Sequence, residues 1–97
     1  MTLVEFKESL QQSAPPENLS ILLKALWYDA KGKWDTAHEL AQDVETPTGS
    51  WIHAYLHRKE GDLGNASYWY SRARKPVCSK GLADEWEDIA AALLRHY

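Results

Sequence analysis

Several things are scarce in this 97-residue chain, and each scarcity excludes something. There is one cysteine, Cys78, so no intrachain disulfide can form. A chain without disulfides suits a reducing compartment, and a cytoplasmic location is the expectation. The longest unbroken apolar run, residues 89–94, is far short of the roughly 20 residues a membrane-spanning helix needs. Glu5 and Glu8 stand where a secretory leader would carry its apolar stretch, so no signal peptide is expected. Positive charge does not dominate: the net charge is -3, which argues against nucleic acid as a partner. β-branched residues are few and no window alternates apolar with polar, so no strand is expected. The length itself leaves room for one small domain.

What is present is an ordinary globular balance, 44% hydrophobic and 26% charged, which argues against disorder. The aromatic load is heavy, with five tryptophans and five tyrosines. Charge is segregated: residues 1–50 carry a net charge of -4, residues 51–80 of +4, and residues 81–97 of -3.

Helical spacing recurs along the chain. Leu3, Phe6 and Leu10 share a face and predict a short first helix that stops before Pro15-Pro16. Those prolines open a second helix over residues 17–31, with Ser13 or Ala14 as its cap. Its apolar set, Leu19, Leu22, Leu23, Leu26, Trp27 and Ala30, covers more than one face and marks it as central. Gly32 ends it. A third helix covers residues 35–45, capped by Asp35 or by a Thr36–Glu39 capping box. Thr46-Pro47 stops that helix and starts a fourth, residues 47–60, which Gly61 ends. Asp62 caps a fifth that runs to residue 75. After a loop marked by Pro76 and Gly81, a sixth covers residues 82–96. Its acidic cluster, Asp84, Glu85, Glu87 and Asp88, reads as charge placed at the positive end of the helix dipole.

An internal repeat emerges at an offset of 29 residues. Gly32 falls on Gly61, Ala25 on Ala54 and Ala37 on Ala66. Apolar positions follow, Leu22 with Trp51, Leu26 with Tyr55 and Leu40 with Trp69. Each unit reads as a helix pair whose turn needs the left-handed backbone of glycine, with alanine where the helices are closest. Ala25, Tyr28, Gly32, Trp34 and Ala37, then Ala54, Gly61, Leu63, Ala66, Tyr70 and Ala73, resemble tetratricopeptide-like helical hairpins. The offset is shorter than that family's usual 34, and His57 stands where its pattern has tyrosine. The stretch over residues 51–62 is also similar to small bacterial helical proteins, a resemblance that implies no activity. The expected architecture is an all-α single domain over residues 1–97, with repeat units at residues 18–46 and 47–75 and a C-terminal helix at 82–96.

The tetratricopeptide-like resemblance implies a concave groove lined by the first helix of each pair. Carried over position by position, it names Leu22, Leu26 and Asp29, then Trp51, Tyr55 and Arg58, as partner-binding residues. Leu22, Leu26, Trp51 and Tyr55 occupy places where chaperone-binding members carry the lysine and asparagine of a carboxylate clamp. The expected function is a non-catalytic module for protein–protein interaction or self-association. A homodimer is expected because helix six, with Leu82, Trp86, Ile89, Ala90, Leu93, Leu94 and Tyr97, carries an apolar side too broad for one stripe. The competing expectation is that the first or last helix of the chain fills the groove.

Three further groups draw notice. His53 and His57 lie one turn apart, a metal-ligand spacing that Glu60 can extend. They also suit the seam between paired helices, and two ligands without a third rarely hold zinc, so no metal and no cofactor are expected. A metal-binding or enzymatic protein built on these two histidines is the alternative. Tyr68, Arg72 and Lys75 form a stripe that can stack on RNA, or else a solvated face with arginine over tyrosine. Cys78 lies near Lys75 and Lys80, with no catalytic partner legible.

Overall fold

The computed structural model describes residues 1–95. Six helices follow in order: α1 (Leu3–Ser9), α2 (Ile21–Ala30), α3 (Trp34–Gln42), α4 (Pro47–Glu60), α5 (Leu63–Arg72) and α6 (Leu82–Leu94). Among the described residues there is no strand, so the fold class is all-α. Among the described residues no helix is long and apolar enough to cross a membrane. His96 and Tyr97, expected at the end of the sixth helix, lie outside the described residues.

The two helix pairs, α2 with α3 and α4 with α5, are joined by turns of the same construction. At the end of α2, the Gly32 and Lys33 amides donate to the carbonyls of Asp29 and Tyr28. At the end of α4, the Gly61 and Asp62 amides donate in the same pattern to Arg58 and His57. Gly32 has φ +80° and Gly61 φ +90°, the left-handed conformation this exit requires. The alanines that face each other across the turns are sealed: Ala25, Ala54, Ala37 and Ala66 are at most 1% exposed. At these glycine and alanine positions the 29-residue offset pairs residues with the same backbone exit and the same burial. The end of α5 repeats the motif with Arg74 at φ +60° in the glycine's place.

Helix boundaries differ from expectation where side chains, rather than prolines, decide them. α2 does not begin at residue 17. Ser20 caps it, its Oγ accepting from the Leu23 amide at 3.2 Å, and neither Ser13 nor Ala14 takes that role. α3 starts at Trp34 with Lys33 at its cap and no side-chain cap bond, so neither Asp35 nor a Thr36–Glu39 box closes it. The turn after Gly32 is short enough to start the helix one residue early, and Trp34 Nε1 is anchored on the Leu56 carbonyl at 2.8 Å. α3 ends at Gln42, three residues early, because the chain must turn back tightly onto α4. A Cβ on Gly49 would sit 2.2 Å from the Val44 carbonyl oxygen, so the connection closes only over glycine. Thr46 then caps α4, its Oγ accepting from the Gly49 amide. Asp62 caps α5 through the Asn65 amide, and α5 ends at Arg72 rather than residue 75 because the αL residue Arg74 breaks it.

α6 returns across the first helices of both pairs. It packs on α4, α2 and α1. Trp86 stacks on Phe6 of α1 at 5.6 Å between ring centroids and donates from Nε1 to the Leu26 carbonyl of α2 at 3.0 Å. Ile89 and Ala90 are fully buried. One continuous core therefore runs from Phe6 through Leu23, Leu26, Trp27, Ile52 and Leu56 to Trp86 and Ile89. A smaller cluster, Ala54, Ala66 and Tyr70, holds α5 against α4.

Candidate functional site

α4 lies at the centre, and its two faces carry different polar chemistry. Trp51, Tyr55 and Arg58 project from one side, His53 and His57 from the other, as helical geometry requires of residues half a turn apart.

The first face is the expected groove, and α6 lies in it. Leu22, Leu26, Asp29 and Tyr55 are all buried, Asp29 and Tyr55 to within 2%. Trp51 and Arg58 are half-buried. The polar members are cross-linked. Tyr55 donates to Asp29 Oδ2 at 2.7 Å, and Lys59 Nζ lies 2.9 Å from Asp29 Oδ1. Arg58 Nη1 lies 2.8 Å from Glu85 Oε1, a carboxylate whose residue is 1% exposed. Glu85 Oε2 also accepts from Tyr70 Oη at 2.6 Å and Trp51 Nε1 at 3.1 Å. Arg58 in turn donates to the Lys80 carbonyl. Burial, with the facing carboxylates Asp29 and Glu85 next, pushes the Tyr55 hydroxyl well above its ordinary range; burial and the hydrogen bond to Glu85 do the same for Tyr70. Both phenols therefore stay protonated and serve as donors.

Glu85 was hidden in the sequence by its acidic neighbours. One signal sets it apart: it lies four residues before Ile89 and three after Leu82, on the apolar stripe of α6 rather than on its solvent side.

The groove is not closed along its whole length. At the Asp29–Tyr55 end a cleft of about 360 Å³ remains between α1, α2, α4 and α6. Leu10, Leu82 and Trp86 line its apolar part, and Lys7, Lys59 and Glu87 stand around it. Lys7 pairs with Glu87 at 3.2 Å, each side chain a little under half exposed.

The second face gathers three histidines where the sequence spacing offered two. His38, on α3, points its Nε2 at His53 Nε2 across 3.0 Å. One ligand nitrogen from each of His38, His53 and His57 lies within 4.8 Å of the others. His57 is held from its far side, Nδ1 lying 2.5 Å from Glu60 Oε1. Tryptophans wall the cluster: Trp69 stacks on His53 at 3.9 Å and Trp34 on His38 at 5.0 Å. Burial, reinforced by the facing His38 and His57, lowers the His53 pKa to about 4. Burial, then the His57 charge, also lowers that of His38, against the opposing pull of Glu60, Asp35 and Glu39. The convergence of His38 was not legible from spacing along one helix. It follows from the α3–α4 packing, which places His38, one residue after the buried Ala37, over the turn between His53 and His57.

The remaining candidates are engaged within the chain. Arg72 Nη1 donates to the Tyr68 hydroxyl at 3.1 Å and lies over the rings of Tyr68 and Trp69. Lys75 Nζ sits 4.0 Å from the Trp51 ring centroid. Cys78 is half-buried beside Trp51 and Tyr70. No family model, curated protein or solved structure matches the chain.

Proposed function

We propose that this chain is a non-catalytic helical-repeat module of tetratricopeptide-like organisation that binds a protein or peptide partner. The observation that carries the reading is the cleft left at the Asp29–Tyr55 end of a groove that α6 otherwise fills. Its apolar part has the size for one bulky side chain, and aromatic groups beside charged ones are the composition of binding hot spots. Lys7, paired with the partly exposed Glu87, is held by flexible methylenes and can turn toward an incoming carboxylate. Lys59 stays on the buried Asp29 and adds its charge to the cleft wall. The partner that fits is a segment with one large apolar residue next to an acidic one.

The paired turns at Gly32 and Gly61 and the sealed alanines at Ala37 and Ala66 support the repeat organisation. The net charge of -3 favours a protein over a nucleic acid. A peptide is favoured over a second copy of the chain because the apolar side of α6, the reason for expecting a homodimer, packs on α1, α2 and α4.

The test is selection from a random peptide library against the purified protein, followed by titration of the winners into wild type and Ala83→Trp. Ala83 is exposed at the cleft edge, so an indole there fills the space without disturbing the core. The expected result is an apolar–acidic consensus and at least a tenfold loss of affinity in the variant, about 1.4 kcal/mol. Winners indifferent to Ala83→Trp, or no winners at all, overturn the reading. Light scattering that gives twice the chain mass favours self-association instead.

A further inference from the structure

The histidine cluster is separate from the cleft, and the inference drawn from it does not rest on the binding reading. We propose that His38, His53 and His57 form a three-imidazole site for a divalent transition metal of borderline softness, Zn²⁺ or its neighbours Co²⁺, Ni²⁺ and Cu²⁺. A fourth position would be left for water or an outside ligand.

The ligand set fits this class of ion. Imidazole suits zinc, copper and nickel, whereas calcium and magnesium demand oxygen ligands. Three protein ligands with a fourth position open to water or substrate is a known zinc arrangement. Tetrahedral bonds of about 2.0–2.1 Å place ligand nitrogens about 3.3 Å apart. His38 Nε2 and His53 Nε2 are already 3.0 Å apart. The third ring completes a set within 4.8 Å.

The protonation of the cluster points the same way. Two Nε2 atoms facing each other at hydrogen-bond distance can share one proton at most, so at least one lone pair already faces inward. A metal ion replaces that proton and satisfies every inward lone pair. Glu60 supplies the outer support that ligating histidines nearly always have. Its carboxylate lies against His57 Nδ1, which leaves Nε2 of that ring as the nitrogen to offer a metal. The stacked faces of Trp34 and Trp69 limit how far the His38 and His53 rings can swing. A small cleft of about 150 Å³ borders the cluster at His53, with Trp69 in its wall.

His57 also belongs to a second grouping, with Glu60 and Asp62. Asp62 is committed to capping α5 there, and both carboxylates are exposed. The three-histidine set is the better preorganised of the two.

The experiment uses untagged, chelator-stripped full-length protein. Zn²⁺ alone is titrated by calorimetry and Co²⁺ alone by visible absorption. The expected result is one ion per chain at micromolar affinity or tighter, with the intense ligand-field bands of four-coordinate cobalt. Tryptophan emission should be quenched by Ni²⁺, because two indoles lie against the ligands. His38→Ala, at the most exposed of the three rings, should abolish the cobalt bands and weaken Zn²⁺ at least 100-fold, with helicity checked by circular dichroism. Glu60→Gln, at a positioning residue, should weaken Zn²⁺ by about 10–100-fold and keep the bands. Side-chain ¹⁵N shifts in the wild type locate the site without any substitution: Nε2 of His38, His53 and His57 should move on adding Zn²⁺. Absence of binding, binding unchanged in His38→Ala, or binding lost in Asp62→Asn but kept in His38→Ala would each overturn the assignment.

Discussion

The two faces of α4 both bury polar side chains, and they satisfy them on opposite terms. Toward α2 and α6, each buried charge has a fixed partner of opposite sign: Asp29 meets Lys59, and Glu85 meets Arg58, with Tyr55, Tyr70 and Trp51 donating the remaining hydrogen bonds. Toward α3 and α5, three rings of one kind face one another, and the nearest carboxylate, Glu60, touches only the outer edge of His57. The first face is closed electrostatically by the chain itself. The second has no carboxylate between its facing rings, only imidazole nitrogens turned toward one another. A charged network locks the returning helix α6 in place, while the imidazole cluster keeps the capacity to take up a cation.

That contrast can be broken most severely at Arg58. Arg58→Met keeps the aliphatic length but strands the Glu85 carboxylate, and leaving a buried charge unpaired costs about 3–5 kcal/mol. Chemical denaturation should show the loss, and it should shrink when Glu85→Gln is added. A cost under 1 kcal/mol would mean that the network does not hold α6. On the other face, Ala66 is sealed between α4 and α5. Ala66→Leu should destabilise by about 1–3 kcal/mol through overpacking, and an unchanged melting curve would show that this seam is loose. Gly61→Ala tests the turn that brings the two halves together. At φ +90° the added Cβ is strained, although it meets no neighbour within 4 Å, so a cost of about 1 kcal/mol or slightly more is expected.

The subtlest test sharpens the contrast by pH. The fold holds His53 near 4 against an ordinary value of 6.5, and holds His38 low as well. Between those values the unfolded chain binds more protons than the folded one. Stability from this source is therefore complete above about pH 6.5 and is lost as pH falls toward 4. Charges that face the cluster work against this loss, Glu60 from α4 and Asp35 and Glu39 from α3. His53→Leu, which removes the titrating ring, should flatten the acid side of the profile. Urea titrations from pH 7 to pH 4 in chelator would check it; parallel profiles for variant and wild type would refute it.

How much of this was legible in the sequence depends on the range of the interaction involved. Local chemistry was readable. The turns at Gly32 and Gly61, the cap at Asp62 and the start of α4 at Pro47 each depend on residues within one turn of each other, and the 29-residue offset was visible because it repeats such local features. Boundaries set by a competing side chain were misread. Ser20 outweighed the two prolines because a hydroxyl that satisfies a free amide defines a helix start more strongly than a fixed φ. The long-range pairings were out of reach. His53 and His57 announced themselves by spacing, but His38 reaches them from another helix. Glu85 looked like one of four acidic residues soothing a helix dipole until α6 turned it onto Arg58.

By itself, then, the sequence determined the helical class, the two hairpins and the glycine exits, because periodicity, caps and left-handed turns are properties of neighbouring residues. Only the tertiary structure decided that α6 lies in the groove, that the polar residues of α4 divide into a paired face and an imidazole face, and that a cleft survives beside Asp29 and Tyr55. Those outcomes depend on how helices far apart in the chain settle against one another. A change of one helix register would exchange partners without altering any local pattern.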